Sequence, residues 1–177
     1  MAYLVAFAVL LGLVNLVFTL GVVRRLRQHS DTLSTLLGGA SGTRRDLLGV
    51  GAVVGDFAVQ ALDGTPITRD SLSGHSLVGF FSPGCDPCAD LLPHFIERAR
   101  DLPAERVLAV LDGMAPSGVK EYASGLSAVG RVVVDDPSGP VQRAFGVEGF
   151  PAVFFIGPSA EVLFSGADLA GLPGGVR

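Results

Sequence analysis

The sequence predicts an α/β domain, a central mixed sheet flanked by helices, behind an N-terminal transmembrane helix. Three observations lead there. The first is the uncharged apolar run from Ala2 to Val23, AYLVAFAVLLGLVNLVFTLGVV. The second is the alternation, beyond Val53, of short apolar runs with helical patterns, which signals βαβ units. The third is the position of the only two cysteines, Cys85 and Cys88, where one such run meets the helical pattern that follows. At 177 residues, 49% hydrophobic and 17% charged, the chain has room for one domain and an appendage and is richer in apolar groups than an ordinary soluble domain.

As a helix the N-terminal run is about 33 Å long, enough to cross a hydrocarbon core of about 30 Å. A cleaved signal peptide is the alternative, but its apolar region is about 7 to 15 residues, with a positive charge before it and a small-residue cleavage site after it. None of these is clear here, so an uncleaved anchor is expected over residues 1–27, with Arg24, Arg25 and Arg27 as its basic flank at the membrane surface. Residues 28–51, rich in Ser, Thr and Gly, read as a flexible linker, and 52–177 as the folded domain. The lipid bilayer is thus an expected partner. A nucleic acid is not, because the net charge of −4 and pI near 5.2 offer phosphates no basic face.

Within the domain, DFAVQA and TPITR flank Leu62-Asp63-Gly64, a hairpin signal because Asp-Gly tolerates positive φ. SLVGFF (Ser76 to Phe81), RVLAVL (Arg106 to Leu111) and RVVVD (Arg131 to Asp135) are continuously apolar and read as buried strands. PAVFFIG and EVLFSG read as a terminal antiparallel pair turning at Gly157-Pro158-Ser159-Ala160. Helices are expected over Asp86 to Asp101, Pro116 to Leu126 and Val141 to Phe145.

A disulfide between cysteines two residues apart would stabilise by at most roughly 2 kcal/mol, so a staple is a poor explanation for them. Half a zinc site, a redox-active dithiol or two unrelated thiols remain. Zinc needs about four ligands, and His29, His75 and His94 are badly placed to supply them; a c-type haem would need histidine where Ala89 stands. No metal or other cofactor is expected. Cys85, by contrast, falls at a helix N-terminus, where free N–H groups and the helix dipole stabilise a thiolate. Pro87 suits the first turn, where its missing N–H costs nothing. Cys88, one turn in, is placed to resolve a mixed disulfide. Pro151, before a central strand, reads as a bend, and the Phe150–Pro151 bond as a place where cis occurs, although a plain strand-start proline would also fit.

These residues resemble the thioredoxin-like superfamily, and within it the membrane-anchored thiol–disulfide oxidoreductases of the TlpA/ResA type. The resemblance runs from Val53 to Gly166. It rests on VGDFAVQALDGTPITRDSLSGHSLVGFFSPGCDPC, on Pro93 eight residues after Cys85, and on VEGFPAVFFIGPSAEVLFSG with Pro151 at the family's cis-proline position. It implies a thioredoxin-like fold, catalysis by Cys85 and Cys88 with Asp86 and Pro87 between them, and substrate contact through Gly84, Phe150 and Pro151. Client proteins with disulfides and an electron-donating thiol partner are the implied partners. The implied location is the extracytoplasmic face of the cell membrane, whereas the arginine cluster by itself would put the domain in the cytoplasm.

Three departures stand out. Gly84 replaces the usual tryptophan, and the chain has none. The acids that relatives carry near the dithiol are replaced by Gly79 and Leu91, leaving Asp86 and Asp90 as candidate bases. The chain stops soon after Gly166 at ADLAGLPGGVR, so a truncated last helix and a partly covered sheet face are expected. The leading function is reduction of client disulfides, since an acid beside Cys85 disfavours its thiolate and so favours a reducing poise. A peroxiredoxin-like thiol peroxidase, suggested by Ser82 three residues before Cys85, and a non-catalytic maturation or assembly factor are the alternatives.

Overall fold

The computed structural model describes Phe7 and residues 47–72, 74–115 and 118–173. The expected transmembrane helix, its basic flank and most of the linker lie outside the described residues, and among those described no helix is long and apolar enough to cross a membrane.

The hairpin forms as expected, β1 (Ala58–Gln60) antiparallel to β2 (Pro66–Thr68) with Val59 opposite Ile67. Gly64 takes the positive φ of 83° that the turn requires, and the Asp63 carboxylate accepts the Thr65 N–H at 2.8 Å. A five-stranded mixed sheet follows, in the order β5-β4-β3-β6-β7. Its central strand β3 (Ser76–Phe81) runs parallel to β4 (Val107–Asp112) and antiparallel to β6 (Ala152–Ile156). The edges are β5 (Arg131–Asp135), parallel to β4, and β7 (Val162–Gly166), antiparallel to β6.

Alternation along β3 builds two cores. Val78 and Phe80 join Ile67, Leu72, Phe145 and Phe154 on the face covered by the hairpin and by α3 (Pro140–Phe145). Leu77 and Phe81 join Phe95, Ala99, Leu126 and Phe155 on the face covered by α1 (Asp86–Ala99) and α2 (Val119–Ser127). The start of α3 is held by Asp135, whose buried carboxylate accepts the N–H groups of Val141 at 3.1 Å and Gln142 at 2.9 Å.

Element ends shift by one or two residues from expectation, and three differences are larger. Among the described residues the domain already includes Leu47, because Leu47 and Leu48 pack on the core, the Leu48 N–H bonds Phe145 O at 3.2 Å and the Gly51 N–H bonds Val162 O at 2.8 Å. The last residues of the expected linker therefore belong to the domain. The second helix starts only after Gly118, whose φ of 88° is left-handed and breaks the helical run. Beyond β7 the described residues form turns rather than a shortened helix. Leu169 and Leu172 nevertheless pack against the α1/α2 core, and Arg98 donates to Pro173 O at 3.0 Å.

The Gly79 position, which the thioredoxin resemblance marks as a place for an acid, has no room for one. A Cβ there would come within 2.5 Å of the Phe95 ring and 2.7 Å of the Phe81 ring, which meet edge to face with centroids 5.1 Å apart. Gly79→Ala should therefore lower the unfolding free energy by about 1–3 kcal/mol, an overpacking cost measurable from denaturant midpoints.

Candidate active site

Strand β3 ends at Phe81, and Ser82-Pro83-Gly84 turns the chain into α1, with the Cys85 N–H donating to Ser82 O at 3.1 Å. Gly84 is exposed with φ 90°, a left-handed backbone that suits glycine and disfavours the tryptophan usual at this point. Cys85 is the N-cap of α1, extended at φ −92° and ψ 116°, and Pro87 sits within the first two helical positions. Asp86 opens the helix and is exposed.

The two thiols are not joined and are unequal in environment: Cys85 is half-buried and Cys88 has no exposed surface. The Cys88 N–H donates to Cys85 O at 3.0 Å, and Cys88 Sγ accepts the Ser82 N–H at 3.5 Å. Burial pushes the Cys88 thiol up to about 12, helped by its hydrogen bond with Cys85 and by the charges of Cys85 and Asp112, while the Ser82 N–H works the other way. Cys85 Sγ lies 3.9 Å from Phe150 O, and the Phe150–Pro151 peptide bond is cis. The distal proline loop and the dithiol are thus brought together, Phe150 half-buried and Pro151 buried.

Two neighbours escaped the sequence reading. Asp112, the last residue of β4, accepts a hydrogen bond from the Ser82 hydroxyl at 2.9 Å and from the Met114 N–H at 3.1 Å. Tyr122 of α2 packs beside the dithiol, its phenol pushed up by burial and then by the charges of Cys88 and Cys85. The signal for Asp112 was present as the one charged residue closing an apolar strand, but only the β3–β4 register makes it a neighbour of Cys88. Asp86 and Asp90 form no side-chain hydrogen bond to either thiol among the described residues. No cluster of three His, Cys, Asp or Glu side chains that could hold a metal occurs among them either.

This topology, with a half-exposed thiol capping a helix above a buried one, is that of the thioredoxin-like thiol–disulfide oxidoreductases. The chain belongs to the AhpC/TSA family, whose model matches residues 50–165. No curated protein matches the sequence. Among solved structures, a thioredoxin candidate from Neisseria meningitidis is similar at 26% identity and a TM-score of 0.55, over 68% of this chain and 81% of that one. A thio-disulfide isomerase from Thermus thermophilus is similar in fold at 21% identity and a TM-score of 0.56, over 70% of this chain and 89% of its own. StoA from Bacillus subtilis is similar in fold at 17% identity and a TM-score of 0.51, over 65% and 89%.

The elevated Cys88 value has a definite consequence for stability. In the unfolded chain Cys88 ionises near its ordinary value of 9.0 and in the fold only near about 12, so the unfolded state loses its proton first as pH rises. The stability this group contributes is complete below pH 9.0 and lost between there and about pH 12. Reduced protein should lose more stability over that window than its Cys88→Ala variant, measured by denaturant unfolding.

Proposed function

We propose that this chain is a membrane-anchored thiol–disulfide oxidoreductase that reduces disulfides of client proteins through Cys85 and Cys88. The observation that carries the reading is the half-exposed Cys85 sulfur facing the Phe150 carbonyl, with Cys88 fully buried behind it. Cys85 as thiolate attacks a client disulfide; the client S–S bond breaks, one client sulfur leaves as a thiol and the other is held by Cys85. Cys88 then attacks Cys85 Sγ, releasing the second client thiol and leaving the two cysteines oxidised. A donor thiol partner returns the two electrons.

Gly84, Phe150 and Pro151 offer the client a surface of backbone and apolar groups beside the attacking sulfur. Pro87 stiffens the first turn of α1. Asp86 lies next to Cys85, exposed at the opening of α1. The similarity to the thioredoxin candidate from Neisseria meningitidis, at 26% identity, supports exchange chemistry. A peroxidase is less well supported, because a second thiol directly under Cys85 serves disulfide release.

The apolar run from Ala2 to Val23 is read as the anchor, with the domain on the extracytoplasmic face, where disulfide clients occur. A membrane-impermeant thiol reagent applied to intact, pre-reduced cells should label Cys85. Protection until lysis would put the domain in the cytoplasm.

Exchange itself is tested by trapping. Cys88→Ser should accumulate a mixed disulfide with client that vanishes under reducing agent, whereas Cys85→Ser should trap little. Equal trapping by both would reverse the assignment of nucleophile and resolver. The wild-type chain should also turn over insulin reduction with a dithiol donor; failure to do so would leave only a client-holding role.

A further inference from the structure

We infer that Asp112 is the acid–base residue serving Cys88, held in place by Ser82, and that it acts in the release step rather than in the first attack. The inference deepens the disulfide-exchange reading and rests on it.

Ser82 touches both partners. Its N–H donates to Cys88 Sγ at 3.5 Å and its hydroxyl donates to Asp112 Oδ2 at 2.9 Å. The other carboxylate oxygen is fixed by the Met114 N–H at 3.1 Å, so the carboxylate is held from two sides at the end of β4. The ionisable groups facing Cys88 among the described residues are Cys85 on its own helix, Asp112 on β4 and Tyr122 on α2. Of these only Asp112 is a carboxylate, an oxygen acceptor able to take a thiol proton.

Release needs a proton to leave Cys88. In the mixed disulfide Cys85 is bonded to the client sulfur and carries no charge. As Cys88 Sγ attacks Cys85 Sγ, its S–H bond breaks, the new S–S bond forms and the Cys85–client bond breaks with its electron pair on the client sulfur. The proton passes to the Asp112 carboxylate and then to the departing thiolate. The enclosed site holds a single negative charge throughout, because ionising Cys88 beside an ionised Asp112 would put two there. Before the first attack burial, with the same charge adding to it, holds Cys88 in its thiol form. Asp86, exposed at the opening of α1, has no such position relative to Cys88.

The experiment mixes the reduced full-length chain with glutathione disulfide, quenches in acid at set times and weighs the products by mass spectrometry. Wild type should show a glutathione adduct that appears and decays. In Asp112→Asn the adduct should appear at least as fast but decay about a hundredfold more slowly, with a flattened pH dependence of the decay. Asp112→Glu should restore part of the rate, and Ser82→Ala should slow decay in a fold whose carboxylate is intact; that variant decides the matter if Asp112→Asn does not fold. Decay in Asp112→Asn with the wild-type rate and pH profile overturns the inference while leaving the exchange reading standing. Lowered stability with an unchanged pH profile overturns it too. Absence of any adduct on wild-type Cys85 overturns the exchange reading, and the role of Asp112 with it.

Discussion

The site depends on one constraint, the double registration of β3. Its parallel pairing with β4 sets Phe81 opposite Leu111, so the next residues, Ser82 and Asp112, meet just beyond the ladder. Its antiparallel pairing with β6 sets Phe80 opposite Ala152, which brings the Phe150–Pro151 bond to the same end of the sheet. A slip of one residue in either pairing would turn every β3 side chain to the other face and exchange the two cores, so burial fixes the register strongly. Cys85, Phe150 and Asp112 are therefore positioned by hydrophobic packing far more than by their own contacts.

That packing also decides where an acid can stand. The Phe81 and Phe95 rings occupy the space above Gly79, and an acid on β3 would have to displace them. The neighbouring strand offers the alternative, since a residue at the end of β4 sits at the rim of the core with one side open to solvent. Asp112 is half-buried there and finds two hydrogen-bond donors, so the carboxylate is partnered without the cost of full burial.

Much of this was legible in the sequence because local chemistry and fold agree. SLVGFF and RVVVD have no polar residue inside them and match β3 and β5 end to end, and Asp63-Gly64 forms the turn that its positive φ predicts. The C-x-P-C spacing placed Cys85 at a helix start and Cys88 in the core, and Pro151 was correctly read as the site of a cis bond. What could not be read depends on long-range contacts. Leu47 and Leu48 carry no periodicity, and only Phe145 and the core around it make them part of the domain. Asp112 lies 24 residues from Cys88 in sequence, and the nearer acids, Asp86 and Asp90, drew attention because sequence separation is a poor guide to distance across a parallel crossover.

The division of labour between the two thiols follows from the same geometry. Cys85 caps a helix, where N–H groups lack intrahelical partners and an anion is welcome, and its half-exposed sulfur can meet a client. Cys88 lies one turn deeper, without solvent, and holds its proton tightly. A thiol held that way attacks slowly unless its proton has somewhere to go, so burial alone would trap every client as a mixed disulfide. Protecting the second thiol and keeping it reactive are opposing demands, and a carboxylate tethered by Ser82 at the edge of the dry region meets both. Burial is what keeps Cys88 protonated, and once Cys85 is bonded to a disulfide substrate the Asp112 carboxylate is the acceptor that lets it react.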